Sequence, residues 1–424
     1  MKYLRFDYLV VLGMLVFMFS PAAVAQTTAP LMQASDISYI GRFALPNGGS
    51  EPATYNYGGY AMGFYKKPDG TKTLYLSGHV YGPGYFGQVQ VPADSQLKPF
   101  STSYSSLTTA TVLQSITDAM EGHGNIENNG SPNWAMGILA YNNRLIITAV
   151  NSYSVNNTGG HVVRDTLTLS GTGHVKPTSG VYSMTGGANQ RSIAGYMFPI
   201  PTAWRALLGG PAMTGECCLS IISTTSGGPA LTVFDPDQVG VISPIPGINV
   251  LKYPTPTTPV SCPTEGACQS NVFNLTSRVL GGGFVPNTRT VFFVEGHGTG
   301  PYCYGTGPEC NDPIMPDEKG PHAYPYRYQL LAYDANDLLA VKNGTKQPFQ
   351  VQPYNATSPW VLPQFTNYHP QGSAAAFDPE TGRLYIRVEA ATNPVIDVFQ
   401  ITVPGSGDSV PPDPPTNLRV VSQQ

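Results

Sequence analysis

The sequence predicts an all-β protein, namely a β-propeller built of four-stranded antiparallel blades. Three observations favour it: a composition rich in Gly and Pro, a recurring pair of short strands, and one strand left without a partner at the N-terminus. Gly and Pro make up 86 of the 424 residues (46 and 40), and only 11% of residues are charged, against about 25% in a typical soluble domain. This composition excludes a helical bundle. The 41% hydrophobic content can build a core.

The recurring unit is a strand of small residues, a turn, and a second strand. Clear copies pair Gly59–Phe64 with Thr73–His79, Trp134–Leu139 with Arg144–Thr148, Gly281–Val285 with Arg289–Val294, and Gly372–Phe377 with Gly382–Ile386. Between the second and third of these copies there is room for one more, and we expect a degenerate copy at Cys217–Phe234. The repeats therefore predict five blades, with six or seven as the alternative.

Each unit also carries outer strands. Third strands are predicted at Phe86–Pro92, Gly195–Pro199, Tyr328–Asp334 and Val398–Pro404, and fourth strands at Ala110–Ser115 and Phe349–Gln352. Small residues suit the first strand, because blades crowd together at the axis of a propeller. Long loops are expected at 152–190 and 296–325. The last blade lacks a fourth strand, and Ile37–Pro46 could supply it, which would close the ring and remove an exposed edge.

The chain ends predict an exported protein. Lys2 and Arg5 precede the apolar run Leu9–Phe19, and Ala23-Val24-Ala25 fits a cleavage site, so residues 1–25 are predicted to be a secretory signal peptide. An uncleaved anchor is the alternative. We expect the propeller to span 26–405 and a Pro/Gly linker to follow at 406–424, and no transmembrane segment in the mature protein, which would be secreted or periplasmic and monomeric.

Six cysteines fit an oxidising compartment. Cys262/Cys268 and Cys303/Cys310 each bracket a short loop, so local disulfides are expected there. Cys217 and Cys218 are left to pair with each other or to stay reduced. A strained vicinal disulfide at that position would point to function. Metal binding is the alternative for these cysteines, but the sequence has no C-x-x-C pair.

Candidate functional residues follow from hairpin topology, which brings the starts of first strands and the ends of second strands to one rim. Acid, base and anion-stabilising side chains gathered there could act on one ligand. The predicted catalytic residues are His79, His123, Glu295, His297 and Arg327. The predicted substrate-binding residues are Glu121, Tyr302, Tyr304, His322, Tyr324, Tyr326, His369 and Glu389.

Each of these residues also has a structural interpretation. The Gly-His-Gly settings are typical of tight turns, and the aromatic run at 321–328 is equally typical of loop packing. Asp334-Ala335-Asn336-Asp337 could ligate calcium, although a turn fits it better. No other cofactor is predicted. The net charge of −4 with few cations argues against a nucleic-acid binder.

The propeller portion resembles secreted bacterial β-propeller proteins of unassigned activity, and Pro411–Val420 resembles the opening strand of a fibronectin type III domain. Export and aromatic side chains at a propeller mouth lead to the hypothesis of a protein that binds or processes extracellular glycan, as a polysaccharide hydrolase or lyase. The five-bladed furanosidase-type propellers carry carboxylates on their innermost strands, whereas Gly, Ala and Met stand there in this sequence. The alternative is a non-catalytic adhesion or surface-display scaffold. A redox propeller with a quinone cofactor is a distant third, suggested by Cys217-Cys218 alone.

Overall fold

The computed structural model describes residues 27–153, 159–176, 183–185, 190–217, 226–253, 272–274, 276–316, 319–365, 374–388 and 392–404. The predicted signal peptide and the fibronectin-like segment lie outside these residues. The described chain forms five four-stranded antiparallel sheets, which confirms the five-bladed propeller. None of its helices is long and apolar enough to cross a membrane.

The strands follow one another in blade order. The chain begins with β1 (Ile37–Ala44) and continues into blade 1 with β2 (Met62–Lys66), β3 (Lys72–Ser77), β4 (Tyr85–Gln90) and β5 (Thr111–Asp118). Blade 2 contains β6 (Asn133–Tyr141), β7 (Arg144–Asn151), β8 (His161–Arg164) and β9 (Val175–Lys176). Blade 3 contains β10 (Met197–Pro199), β11 (Ala212–Thr214), β12 (Leu231–Phe234) and β13 (Gly247–Leu251).

Blade 4 contains β14 (Arg278–Phe284), β15 (Thr290–Gly298), β18 (Tyr326–Asp334) and β19 (Trp360–Leu362), and the hairpin of β16 (Cys303–Gly305) and β17 (Gly320–His322) is inserted within it. Blade 5 consists of β20 (Ala374–Asp378), β21 (Arg383–Val388), β22 (Val395–Ile401) and, from the start of the chain, β1. The α-helices are α1 (Gln190–Ile193), α2 (Thr202–Leu208), α3 (Gly307–Cys310) and α4 (Ala335–Lys342). The 3₁₀ turns are Ala34–Asp36, Asp94–Gln96, Tyr104–Ser106, Pro236–Gln238, Pro348–Gln350 and Pro363–Phe365.

Small residues on the innermost strands let neighbouring blades pack closely at the axis. A Cβ added to Gly63 of blade 1 would lie 2.2 Å from the carbonyl oxygen of Ile138 in blade 2. A Cβ on Gly137 of blade 2 would lie 2.1 Å from the carbonyl oxygen of Gly195, next to blade 3. These distances are far below any van der Waals contact, so the prediction that small residues mark the innermost strands is confirmed.

The N-terminal strand closes the ring as predicted. β1 pairs with β22 in antiparallel register from Ile37, opposite Ile401, to Ala44. Arg42 of β1 forms a 2.9 Å ion pair with Asp397 of β22, whose side chain is fully buried. Tyr39 donates a second hydrogen bond of 2.9 Å to the same carboxylate. The edge of blade 5 is therefore covered by a strand that is remote in sequence.

The strand assignment of blades 2 and 3 differs from the prediction. The segment 195–199, expected as a third strand of the second unit, contains β10, the innermost strand of blade 3. Within the expected copy at 217–234, the described strand is β12, the third of its blade. The third and fourth strands of blade 2 lie inside 152–190, where a loop was expected; they are only four and two residues long.

The predicted fourth strand at 349–352 is also absent from blade 4. Pro348–Gln350 forms a 3₁₀ turn, and β19 pairs with β18 instead, with Trp360 opposite Leu330. Proline explains the difference, because Pro348 and Pro353 flank the segment and neither has an N–H group to donate to a sheet. The fourth strand predicted in blade 1 is confirmed as β5.

Candidate functional site

One end of the propeller axis collects the loops that carry most of the predicted residues. Innermost strands begin there and second strands end there, because the two form a hairpin in every blade. We call this end the upper mouth, and the opposite end the lower mouth. Below the upper mouth the channel is filled by apolar side chains, including Met62, Met136 and Leu280, and it retains a cavity of only about 30 Å³. A ligand at the upper mouth would therefore bind at the surface and would not pass through the ring.

Arg278, the first residue of β14, lies at the centre of a cluster contributed by several blades. Burial lowers the pKa of its guanidinium, and the nearby charges of Tyr60, Glu216, Tyr326 and Tyr302 act in the opposite direction. Tyr60 belongs to blade 1 and Glu216 follows β11 in blade 3, so the guanidinium interacts with groups across the axis. Glu216 is 2% exposed and Tyr326 is 1% exposed, which leaves the half-buried Arg278, Tyr60 and Tyr302 as the groups that face a ligand.

Glu295 and His297 form a buried network with two residues of the neighbouring strand. Both side chains lie on β15, and register pairing sets Glu295 opposite Gln329 and His297 opposite Arg327. Gln329 donates a 2.7 Å hydrogen bond to Glu295 and accepts one of 2.8 Å from Nε of Arg327. His297 Nδ1 lies 3.3 Å from the Glu295 carboxylate. Asn274 also contacts the ring, since its Nδ2 lies 3.4 Å from His297 Nε2.

Burial determines what this network can do. Glu295 is 0% exposed and His297 is 1% exposed, so neither reaches solvent. Arg327 is half-buried. Burial lowers the pKa of its guanidinium, and the nearby Glu295 charge offsets only part of this shift. The structure therefore brings Glu295, His297 and Arg327 close to one another. In this arrangement Gln329 links Arg327 to Glu295, and neither Glu295 nor His297 faces the mouth.

His79 lies at the equivalent strand end in blade 1, but in a separate group of residues. Its ring lies between Tyr57 and Tyr81, with centroids 5.9 and 5.5 Å away, and its Nδ1 accepts a 3.2 Å hydrogen bond from the backbone of Tyr81. Glu51 lies 3.8 Å from the same nitrogen. His79 and His297 thus share the upper mouth and have no partner in common. The side chain of His123, in the turn after β5, makes no hydrogen bond or ion pair with any other described residue.

Glu121 has a structural environment. Its carboxylate accepts hydrogen bonds from the backbone N–H groups of Gly173, His174 and Val175 and forms a 2.9 Å ion pair with Arg164. Burial raises the pKa of this carboxyl group, but these bonds together outweigh burial and lower it. Glu121 therefore ties blade 1 to the outer part of blade 2, and its oxygens are already occupied.

The described residues between 299 and 325, which we call the insert, connect β15 to β18 on the upper side of blade 4 and contain a disulfide bond. The predicted disulfide between Cys303 and Cys310 is confirmed, with Cα atoms 5.6 Å apart. Asp312 is 3% exposed and binds both His322, at 2.8 Å, and the hydroxyl of Tyr326, at 2.5 Å. The remaining predicted residues of the insert are its aromatic side chains: Tyr304 is 42% exposed, and Tyr302 and Tyr324 are half-buried.

Other predicted features lie elsewhere or outside the described residues. His369, Glu389 and the proposed pairs Cys217-Cys218 and Cys262-Cys268 cannot be placed, because at least one residue of each falls outside the described ranges. The segment considered for calcium begins helix α4, where Asp334 caps the backbone of Asn336 and pairs with Arg289. Among the described residues, no three His, Cys, Asp or Glu side chains are grouped to hold a metal ion.

The sequence prediction missed Tyr60, Trp134, Glu216 and Arg278. Tyr60, Trp134 and Arg278 stand at or just before the start of an innermost strand, and the rings of Tyr60 and Trp134 lie 5.4 Å apart. A signal was present for Tyr60 and Trp134, because each directly adjoins a small residue of a repeat copy, Gly59 and Ala135. Asp378, near the lower mouth, is the only carboxylate on the five innermost strands, all of which belong to the described chain. The expected departure from furanosidase-type propellers is thus visible in the structure.

Comparisons with known proteins give only distant similarities. No protein-family profile and no curated protein matches the sequence. Among solved structures, an exo-1,5-α-L-arabinanase from a bovine ruminal metagenomic library is 11% identical, with a TM-score of 0.42, 81% of this chain and 93% of that chain covered. An endo-arabinase from Bacteroides thetaiotaomicron is 10% identical, with a TM-score of 0.41 and coverage of 83% and 98%. The α-L-arabinofuranosidase of Podospora anserina is 8% identical, with a TM-score of 0.37 and coverage of 85% and 97%.

Proposed function

We propose that this chain is an exported protein that binds and processes extracellular carbohydrate at the upper mouth of the propeller. The observation that carries the proposal is the cluster around Arg278, where the half-buried Tyr60 and Tyr302 come from blade 1 and from the insert. Tyrosine rings stack on sugar rings, and a guanidinium donates several hydrogen bonds to hydroxyl or carboxylate oxygens.

Export is supported by the N-terminal sequence and by the disulfide. Lys2, Arg5 and the apolar run after them have the pattern of a secretory signal peptide. The Cys303–Cys310 disulfide is typical of an oxidising compartment outside the cytosol. The proposed protein acts as a monomer on an extracellular glycan and requires no resident cofactor.

Hydrolysis and β-elimination place different demands on this mouth. Hydrolysis needs two carboxyl groups about 5–10 Å apart with access to the glycosidic bond. The acids near Arg278 and Arg327 are Glu216 and Glu295, at 2% and 0% exposure, whereas the exposed Glu51 lies apart from them beside His79. Elimination from a uronate needs a cation on the sugar carboxylate and a base, for which Arg278 and Tyr60 or Tyr302 are available. Tyr326 is unsuited as the base, because burial and Asp312 raise its pKa far above the usual value.

The burial of Glu295 and His297 favours a second candidate function, that of a non-catalytic adhesion or display scaffold. Neither side chain can touch a ligand without a rearrangement of the mouth. Such a protein would use the tyrosines and Arg278 for binding alone.

A panel of polysaccharides tests the proposal. Purified protein is incubated with neutral and uronate-containing polymers, and the assay follows both new reducing ends and the ultraviolet absorbance of unsaturated products. Binding is measured in parallel by affinity gel electrophoresis. Turnover of any polymer supports processing, binding without turnover supports the scaffold, and the absence of both contradicts the proposal.

Paired arginine variants show whether the upper mouth is responsible. Arg278→Ala should abolish turnover or binding. Arg144→Ala is the matched control, because Arg144 begins β7 at the lower mouth and pairs there with Asp237. Equal effects of the two substitutions would locate the activity elsewhere.

A further inference from the structure

The most exposed aromatic side chains of the described chain concentrate on the upper side of the ring. Five exceed one-third exposure: Tyr81 at 62%, Tyr153 at 56%, Tyr57 at 49%, Tyr304 at 42% and Phe349 at 40%. The four tyrosines all lie in loops that begin or end at the upper mouth. A free tyrosine ring presents apolar area to water, so four such rings on one side indicate a surface built for contact.

A cavity beside Tyr81 has the chemistry of a neutral sugar site. Its volume is about 360 Å³, and its polar lining comes from Asn125, Ser131 and Asn133. The Asn125 amide and the Ser131 hydroxyl can donate to and accept from sugar hydroxyls, and Asn133, whose oxygen already accepts from Glu127 and Asn151, has one N–H left to donate. None of the side chains lining the cavity is charged. The chemistry therefore matches a polyhydroxylated, uncharged ligand next to an aromatic platform.

Hydrogen bonds hold this surface in place. Asn151 donates to the carbonyl oxygen of Ser131 at 3.1 Å and to the side-chain oxygen of Asn133 at 3.2 Å. Its own side-chain oxygen accepts a 2.9 Å bond from the backbone of Tyr153. His79 fixes Tyr81 through the bond from its backbone, described above. Fixed loops lose little conformational entropy when a ligand binds.

The cavity adjoins the Arg278 cluster. Asn133 lines the cavity, and the next residue, Trp134, packs on Tyr60 at the edge of that cluster. The two sites are thus continuous across the seam between blades 1 and 2.

We infer that the upper side carries an extended binding surface for a glycan chain, which runs from the Arg278 cluster over Trp134 to uncharged sugar subsites at Tyr81. The inference rests on the proposed function and specifies its ligand as a polymer with neutral sugar units. His79 and Asn151 are then positioning residues that hold the tyrosine-bearing loops.

The test compares Tyr81→Ala with Phe349→Ala, an exposed aromatic residue remote from the upper mouth. Native gels contain linear arabinan, arabinoxylan, galactomannan or polygalacturonate. We expect at least one neutral polymer to retard the wild type and Phe349→Ala equally. Tyr81→Ala should bind about 5–10-fold more weakly, as the loss of one stacked ring implies. Its melting temperature should be unchanged, because Tyr81 is 62% exposed.

Oligosaccharides of the retarding polymer separate this inference from the proposed function. For the wild type, a hexasaccharide should bind more tightly than a disaccharide in calorimetry, and Tyr81→Ala should lose that gain while it retains disaccharide binding. If length gives no gain, or if Tyr81→Ala behaves as the wild type, the extended surface is refuted and the proposed function stands. Retardation by polygalacturonate alone refutes the neutral subsites, and retardation by no polymer refutes both proposals.

Discussion

Replacing Asp397 with alanine should loosen the joint at which the ring closes. This carboxylate on β22 binds Arg42 and Tyr39 of β1, each at 2.9 Å, and its side chain is fully buried. The substitution leaves the guanidinium, itself only 10% exposed, without its counter-charge. The two strands keep their backbone pairing, so the effect measures the side-chain contribution to closure.

The structure sets the expected magnitude. Removing one member of a buried ion pair costs about 3–5 kcal/mol. Arg42 retains a 3.0 Å bond to the carbonyl oxygen of Phe100 and lies 4.2 Å from the centre of that ring, which favours the lower end of the range. With an unfolding entropy of about 2.1 cal/mol/K per residue over about 400 residues, about 3 kcal/mol lowers the melting temperature by about 4 °C.

Denaturant unfolding followed by tyrosine fluorescence measures this loss. Asp69→Ala is the control, because Asp69 forms a 3.7 Å ion pair with Lys67 on the surface, where water screens the two charges and the loss of stability should be much smaller. The double variant Arg42→Met/Asp397→Leu should recover most of the stability, since no buried charge remains. Equal stability of Asp397→Ala and Asp69→Ala would refute the reasoning. Deletion of residues 26–46 should go further and cause aggregation; a monomeric deletion variant with an unchanged melting temperature would contradict closure by β1.

Three further outcomes are expected. Gly58→Ala should lower the free energy of unfolding by at least about 2 kcal/mol, because the new Cβ would lie 1.3 Å from the buried guanidinium of Arg387. Gly320→Ala is the control: a Cβ there would have nothing within 4 Å, so the free energy of unfolding should change by less than about 0.5 kcal/mol. His297→Ala should cost about 1–3 kcal/mol in denaturant unfolding, since it removes a partner of buried Glu295; unchanged stability would contradict the network. Burial raises the pKa of Asp312, but hydrogen bonds to its carboxylate outweigh burial and hold the pKa below 3.8. The stability that these bonds add is therefore present above pH 3.8, and it is lost as the pH falls through the pKa of Asp312 in the folded protein. The protection factors of amides in the insert, taken relative to their intrinsic exchange rates at each pH, should therefore fall below about pH 4 in the wild type. Asp312→Asn should show lower protection already at pH 7; identical profiles would exclude this role.

The fold was predictable because a propeller requires small residues on its innermost strands, and these residues can be recognised in the sequence. Where innermost strands approach within van der Waals distance, side chains must be small, and Gly281, Gly282 and Gly283 mark such a strand directly. The strand at 37–46 had no partner nearby, so closure was the remaining way to pair it.

Blade 3 was misassigned because its inner hairpin has no tight turn. Three-residue strands β10 and β11 are separated by helix α2, so the strand–turn–strand pattern is interrupted. Strands of two to four residues, such as β8 and β9, are too short for alternation of polar and apolar residues to show.

The candidate site was predicted only in part, since its contacts depend on register. That Glu295 faces Gln329 and His297 faces Arg327 follows from the pairing of β15 with β18 across the insert. The sequence places Glu295, His297 and Arg327 near one mouth, but it does not show that Glu295 and His297 are buried or that Gln329 connects them to Arg327. Arg278 was missed because the innermost strand of its blade was predicted to begin at Gly281, whereas β14 begins at Arg278 itself.

The register of ring closure also determines on which side of the propeller the protein can be attached to a surface or to a fusion partner. Ile37 and Ile401 face each other beside Gly382, a residue of the hairpin turn at the lower mouth. The first and last strands of the propeller therefore leave the ring on the same side. A tag, resin or fusion partner joined to either of these strand ends therefore lies on the side of the lower mouth. Attachment at the start of β1 or at the end of β22 thus leaves the tyrosine-bearing side facing the medium, so that surface-based binding measurements should not depend on which of these two strand ends is attached.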